Sequence, residues 1–222
     1  MQGVPTLWGN FEIKNVRLVK KMLNQFAQKR LESHLDQFDR WANRFEQLPL
    51  FFLTFHGEES FDVVLESMEM AVQRYGIRHV IVDNLQFMIG NQCERKHKSN
   101  RYFDISKRLD RFAYQDVVIG ACRKFATEHD CHVTLVVHPR KEADNEPLHN
   151  NSIFGGAKAS QEADNVIILQ MKWTDQFRFQ KYIQITKNRY DGDLGLIPIS
   201  FSKEAEGFGV RADKEDKRPF HK

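Results

Sequence analysis

Nothing in this sequence approaches the run of about eighteen apolar residues that spans a bilayer, which predicts a soluble globular chain without a membrane span. The first twenty residues have neither an apolar signal core nor the Arg- and Ser-rich, acid-poor character of an organelle transit peptide, so they predict no location. An excess of one charge is also lacking. Against 33 Lys and Arg stand 30 Asp and Glu, and the resulting net charge of +3 is too small for a global cationic field. Any site for a polyanion must be local. Cysteine is scarce and odd in number: Cys93, Cys122 and Cys131 form no CxxC pair, which argues against a disulfide framework and a zinc site and fits a reducing intracellular compartment. There is no internal repeat. With 41% hydrophobic residues, the chain is long enough for one well-buried domain. We expect that domain over residues 1–205, interrupted by a polar, charge-dense insert at 91–108 and followed by a tail at 206–222.

Hydrophobic periodicity supplies the elements. Val4–Trp8 reads as a short buried strand and Ile13–Arg30 as an amphipathic helix. The unit then repeats: a helical stretch over Leu31–Glu46, a strand over Leu50–Phe55, a helix near Ser60–Tyr75, a strand over His79–Asp83, a helix over about Leu109–Glu128, and a strand over His132–His138. Strands alternating with helices imply a largely parallel sheet covered by helices. After Pro147 come an Asn- and Gly-rich loop, a short helix near Ala157–Ala163, and strands at Val166–Met171, Phe179–Lys187 and Leu196–Phe201. The expected class is α/β, with antiparallel strands at the C-terminal end.

Several residues have the chemistry to handle phosphates. Asp83 closes the buried strand Val80-Ile81-Val82, where a carboxylate can help hold Mg²⁺ beside a nucleotide, although a strand-end acid also serves as a helix cap or a solvated loop group. Glu12 follows the first strand, at the level suited to deprotonating an attacking water, and equally suits a helix start. His138 ends the fourth strand ahead of Pro139, Arg140 and Lys141, where it could sense a phosphate or be an ordinary surface group. Lys187 and Arg189 precede the turn Tyr190-Asp-Gly-Asp-Leu-Gly195, which would project both cations from a hairpin. The loop Asn150–Gly156 followed by Lys158 offers backbone donors and one cation able to grip a DNA backbone, or else simply caps a helix. The insert carries Arg95, Lys96, Lys98 and Arg101 beside Tyr102 and Phe103, diluted by Glu94 and Asp104. It reads either as a phosphate-tracking segment or as a solvated loop.

Taken in order, these segments resemble the RecA-like motor of hexameric replicative helicases, the DnaB and phage primase-helicase class, in wording nearest its mitochondrial members. The resemblance is carried by Val4–Ile13, Asp83–Met88, His132–Lys141, Ser152–Asn165 and Lys187–Asp193, and spans about residues 3–201. It implies that Glu12 is the catalytic glutamate, Asp83 the Mg²⁺ residue, and His138 the link between nucleotide state and DNA. Lys187 and Arg189 would act in trans on a neighbour's ATP, and Arg140, Lys141, Ser152, Gly155, Gly156 and Lys158 would lie along single-stranded DNA in a ring channel. It further implies ATP with Mg²⁺ as cofactors, 5′ to 3′ unwinding of single-stranded and forked DNA, self-assembly into a hexamer or heptamer, a replication polymerase and a single-strand-binding protein as partners, and a mitochondrial matrix location.

That class carries a GxxxxGK[ST] phosphate loop ahead of the strand leading to Glu12, and no such segment is spelled in these 222 residues. The expectation is therefore an N-terminally truncated RecA-like core, inactive and marginally folded as an isolated chain. The alternative expectation is a short form that binds DNA or a helicase ring as a regulatory module.

Overall fold

The protein is described by a computed structural model covering residues 2–55, 59–86, 111–139, 146–153, 157–174 and 178–210. The first strand, β1, is Thr6–Asn10, two residues later than expected. Pro5 has no N–H to give to a ladder; its carbonyl instead accepts from Arg78 N at 3.0 Å and His79 N at 3.2 Å, so pairing starts at Thr6. Helix α1, Asn15–Ala27, buries Leu18, Leu23 and Ala27 and ends where Gln28 turns left-handed at φ 56°.

The single helix expected over Leu31–Glu46 is broken. Leu31–Ser33 and Leu35–Gln37 are isolated 3₁₀ turns, and only Phe38–Glu46 is α-helical (α2). The break falls at His34, whose φ of −140° and ψ of 54° lie outside the helical region, while buried Asn24 ties down the first turn. Its Oδ1 accepts from Leu31 N at 3.0 Å, and its Nδ2 lies 3.2 Å from both Glu32 Oε2 and Glu206 Oε2. A side-chain acceptor thus caps the Leu31 amide, one of the first-turn donors that find no partner within a helix. On α2, Trp41 and Phe45 meet Phe26 of α1 edge to face, with Arg44 stacked 4.8 Å from the Trp41 ring centre.

Strand β2 (Leu50–Phe52), helix α3 (Phe61–Tyr75), strand β3 (His79–Asp83), helix α4 (Arg111–Glu128) and strand β4 (His132–Leu135) complete the first half. The four strands are parallel in the order β2-β1-β3-β4. Both β2 and β4 are shorter than their hydrophobic runs suggested. The chain beyond β4 still follows β3, with Val136 N donating to Val82 O at 2.9 Å and Leu85 N to Val136 O at 3.0 Å, but it is no longer regular strand. The core lies between this sheet and its helices: Val80 and Val82 from β3, Phe61, Val64 and Met68 from α3, and Val118, Cys122 and Phe125 from α4 are all buried. Each fully buried Val, Met or Phe side chain contributes about 1.5–3 kcal/mol of transfer free energy. This is the α/β, RecA-like core expected, with a parallel sheet flanked by helices.

Helix α5 (Ala157–Glu162) leads into an antiparallel meander of β5 (Asn165–Thr174), β6 (Arg178–Asn188), β7 (Gly195–Ser202) and β8 (Gly207–Val210). Among the described residues this is a separate sheet rather than a continuation of the first. Strand β8 lies inside the stretch expected to be tail. The tight turn before it docks on α1: Gln25 Nε2 donates to Glu206 O at 2.8 Å, and Arg30 pairs with the Glu206 carboxylate at 3.7 Å. Among the described residues no helix is long and apolar enough to cross a membrane. The basic insert at 91–108 lies outside the described residues.

Candidate active site

The connection leaving β1 runs to its neighbour β2, whereas the one leaving β3 runs the other way, to β4. The gap beyond the carboxyl ends of β1 and β3 is therefore the topological switch point, where open parallel sheets bind their ligands. The residues that follow β1, β3 and β4 all reach this edge. Asn10, 1% exposed at the end of β1, makes an Asx-type turn: its Oδ1 accepts from Glu12 N and Ile13 N, both at 3.1 Å. Phe11 N donates to Asp83 O at 2.8 Å, extending the ladder by one bond. Together these bonds leave the Glu12 side chain facing the crevice mouth, 42% exposed.

Three of the residues singled out in the sequence meet here, joined by one that was not. Asn84, completely buried, donates from Nδ2 to Glu12 Oε2 at 2.7 Å and sits 3.2 Å from His138 Nε2. The carboxylate can only accept, so it fixes the amide with nitrogen toward Glu12, and the same nitrogen then needs an unprotonated Nε2 on His138. His138 Nε2 is itself 4.0 Å from Glu12 Oε2. Gln86 holds the histidine from behind: His138 N donates to its Oε1 at 3.1 Å, and its Nε2 donates to His138 O at 3.4 Å. His138 consequently lies in a clamped loop three residues past β4, not at the strand end. Asn84 and Gln86 are polar residues immediately after a buried strand, a sign of function visible in the sequence once the strand is placed.

Asp83 lies beside them, half-buried, and its carboxyl is pushed above the usual carboxylate range. Burial is the main cause and the Glu12 charge adds to it, while His138 acts in the opposite direction. Two carboxylates in a partly desolvated crevice suit a divalent cation whose remaining ligands are phosphate oxygens and water, the usual way Mg²⁺ is held. No group of three or more His, Cys, Asp or Glu that could hold a metal by itself occurs among the described residues. The residues thus fit a metal that arrives with a nucleotide.

The other expected site residues are distributed differently. Lys187 and Arg189 leave the end of β6 but are engaged within the chain. Lys187 Nζ donates to the carbonyls of Ser160 and Gln161 at 2.7 and 3.0 Å, and Arg189 Nη1 lies 2.8 Å from Asp164 Oδ1. Ser152 is buried, and its hydroxyl accepts from His149 N at 3.0 Å, so the side chain is committed to the loop's own turn. Lys158 lies along α4, its Nζ 3.8 Å from where a side chain on Gly120 would begin. Arg140, Lys141, Gly155 and Gly156 lie outside the described residues. A single antiparallel bridge between Pro139 and Ile153 joins the residue after His138 to the loop holding Ser152.

Residues 1–144 match the family described as the AAA domain. Over 150 residues, 65% of this chain, the sequence is 25% identical to the Twinkle homolog protein, chloroplastic/mitochondrial, of Arabidopsis thaliana. That segment spans 19% of the relative's own length. The family match takes in 144 of the 222 residues, including β1 to β4 with Glu12, Asp83 and His138, and on that ground the chain belongs to the AAA domain family.

Proposed function

We propose that this chain forms the hydrolytic part of a Twinkle-like, ATP-dependent DNA helicase motor that moves 5′ to 3′ on single-stranded DNA as a ring, in an organelle replicating its own DNA. The observation that carries the reading is the convergence of Glu12, Asp83 and His138 at the sheet's switch point, with Asn84 bonded to Glu12 and His138 together. Glu12 is the general base for the attacking water, held in place by Asn84. Asp83 helps hold Mg²⁺, which when bound neutralises charge on the phosphates being separated. Because one amide nitrogen serves both Glu12 and His138, a turn of His138 toward a terminal phosphate changes what holds the base. The Pro139–Ile153 bridge gives that turn a direct route to the Ser152–Lys158 loop, the proposed DNA contact together with Arg140, Lys141, Gly155 and Gly156. Lys187 and Arg189 serve the neighbour's nucleotide in the ring, whose further partners are a polymerase and a single-strand-binding protein.

The phosphate loop on this reading comes from outside these 222 residues, which spell no GxxxxGK[ST]. The same observation favours a second reading, a module that joins a helicase ring and regulates it without turnover of its own. The test is ATP hydrolysis and fork unwinding by the protein as its cell makes it. We expect DNA-stimulated turnover that Glu12→Gln abolishes while single-stranded DNA binding persists. Turnover unchanged by Glu12→Gln refutes the assignment of the base. A protein without turnover that co-purifies with a helicase ring supports the second reading instead.

A further inference from the structure

We infer that Asp164 is a positioning residue for Arg189, fixing the guanidinium at the end of the β5–β6 ladder so that it is already oriented when a neighbour's phosphate arrives. This rests on the proposed role of Arg189 and assigns a function to a carboxylate outside the crevice.

Asp164 occupies the short connection between α5 and β5, next to Asn165, which pairs with Asn188 in the β5–β6 register. Arg189 is thereby held twice by the same residue. Its backbone N–H donates to Asp164 O at 3.0 Å, and its Nη1 lies 2.8 Å from Asp164 Oδ1. The other carboxylate oxygen, Oδ2, accepts from Arg123 Nη1 of α4. Arg123 therefore anchors the carboxylate to the helix that packs on the parallel sheet, and Arg189 takes the oxygen left over. The Arg189 contact is an ion pair through Nη1 that lacks the alignment of a hydrogen bond at Oδ1, so charge rather than a two-pronged fork holds the guanidinium. The Arg189 side chain is 45% exposed and Asp164 24%, a partly buried handle on a more accessible cation.

The neighbouring cation is organised in the same way. Lys187 Nζ is held by the carbonyls of Ser160 and Gln161, in the last turn of α5, where carbonyl dipoles favour positive charge. Two cations on flexible stems are thus ordered before any ligand is present. Pre-ordering matters because a misplacement of about 1 Å in a group acting on a transition state costs roughly 100-fold in rate.

The experiment measures DNA-stimulated ATP turnover of the whole protein in Asp164→Asn, Arg189→Ala and the double variant, with a thermal melt of each. Asparagine keeps the shape and loses the charge. We expect Asp164→Asn to lower kcat by roughly 100-fold with KM for ATP and DNA affinity within about twofold, and to cost nothing further in the Arg189→Ala background. Asp164→Glu, which restores the charge, should recover part of the loss. A kcat unaffected by Asp164→Asn, or an equal loss in both backgrounds, overturns this inference while leaving the role of Arg189 intact. An Arg189→Ala variant as active as wild type, or a protein without turnover, overturns the inference and the role of Arg189 together.

Discussion

Replacing Asn84 by Asp tests the centre of the site, because it changes one atom's chemistry in a completely buried residue. In the native protein the Nδ2 of Asn84 donates to the Glu12 carboxylate at 2.7 Å. A hydrogen bond to a charged group contributes about 1.5–3 kcal/mol. Asn84→Leu removes that donor, but the Glu12 side chain is 42% exposed, so water can take its place and the net loss should fall to about 1–2 kcal/mol. Asn84→Asp does more. It sets a buried carboxylate oxygen against Glu12 where a donor had been, next to Asp83, whose own carboxyl is already pushed up by burial and the Glu12 charge. An uncompensated buried charge costs about 3–5 kcal/mol, a large share of the 5–15 kcal/mol typical of a folded domain. The pH dependence has a definite sign. Proton affinity at the introduced carboxyl is raised by folding, so the penalty is present at neutral pH and shrinks as pH falls, since a protonated carboxyl can donate as the amide did. Urea unfolding followed by circular dichroism, at neutral pH and at about pH 5, measures both differences. A cost of Asn84→Asp no greater than that of Asn84→Leu at neutral pH, or a gap that does not narrow in acid, refutes the donor role of Asn84.

Three further outcomes follow from the fold. Met68 of α3 is fully buried against the sheet, so Met68→Ala should cost about 2–5 kcal/mol in urea unfolding, and a loss under about 1 kcal/mol would show that α3 is not packed as described. The Lys20 ammonium, 2.8 Å from Glu32, is the main cause that lowers this carboxyl from its ordinary 4.5 to about 2, helped by a backbone N–H and the Asn24 amide. The stability this adds is present above pH 4.5 and lost as pH falls toward 2. Being exposed it is modest and salt-sensitive, and identical acid slopes for wild type and Lys20→Met would rule it out. Burial pushes the Cys122 thiol up to about 12, and Cys131 is also raised, chiefly by burial. Both should react with a thiol reagent only at the rate of local or global opening, which peptide mass mapping would contradict if either were labelled within the mixing time.

The strand-helix alternation, and with it the α/β class, could be read from hydrophobic period alone, because each strand buries its alternate residues and each helix a stripe. Glu12 and Asp83 were legible for the same reason: in a parallel sheet every strand's carboxyl end faces the ligand edge, so a carboxylate just past a buried strand has its location fixed by its element. Strand order was not legible. That β1 sits between β2 and β3, which sets Glu12 beside Asp83, depends on which edges pair, and pairing is a property of packing rather than of local pattern. Nor could the sequence show that Asn84 bonds residues 72 and 54 positions away, or that Asp164 gathers Arg123 and Arg189 from different elements. The helix expected over Leu31–Glu46 failed at His34, whose backbone leaves the helical region between two 3₁₀ turns, while Asn24 of α1 caps the Leu31 amide from outside the segment. Local chemistry supplied the catalytic candidates; only tertiary contacts decided which polar groups hold them in place, because hydrogen-bond partners are chosen by proximity in space and not along the chain.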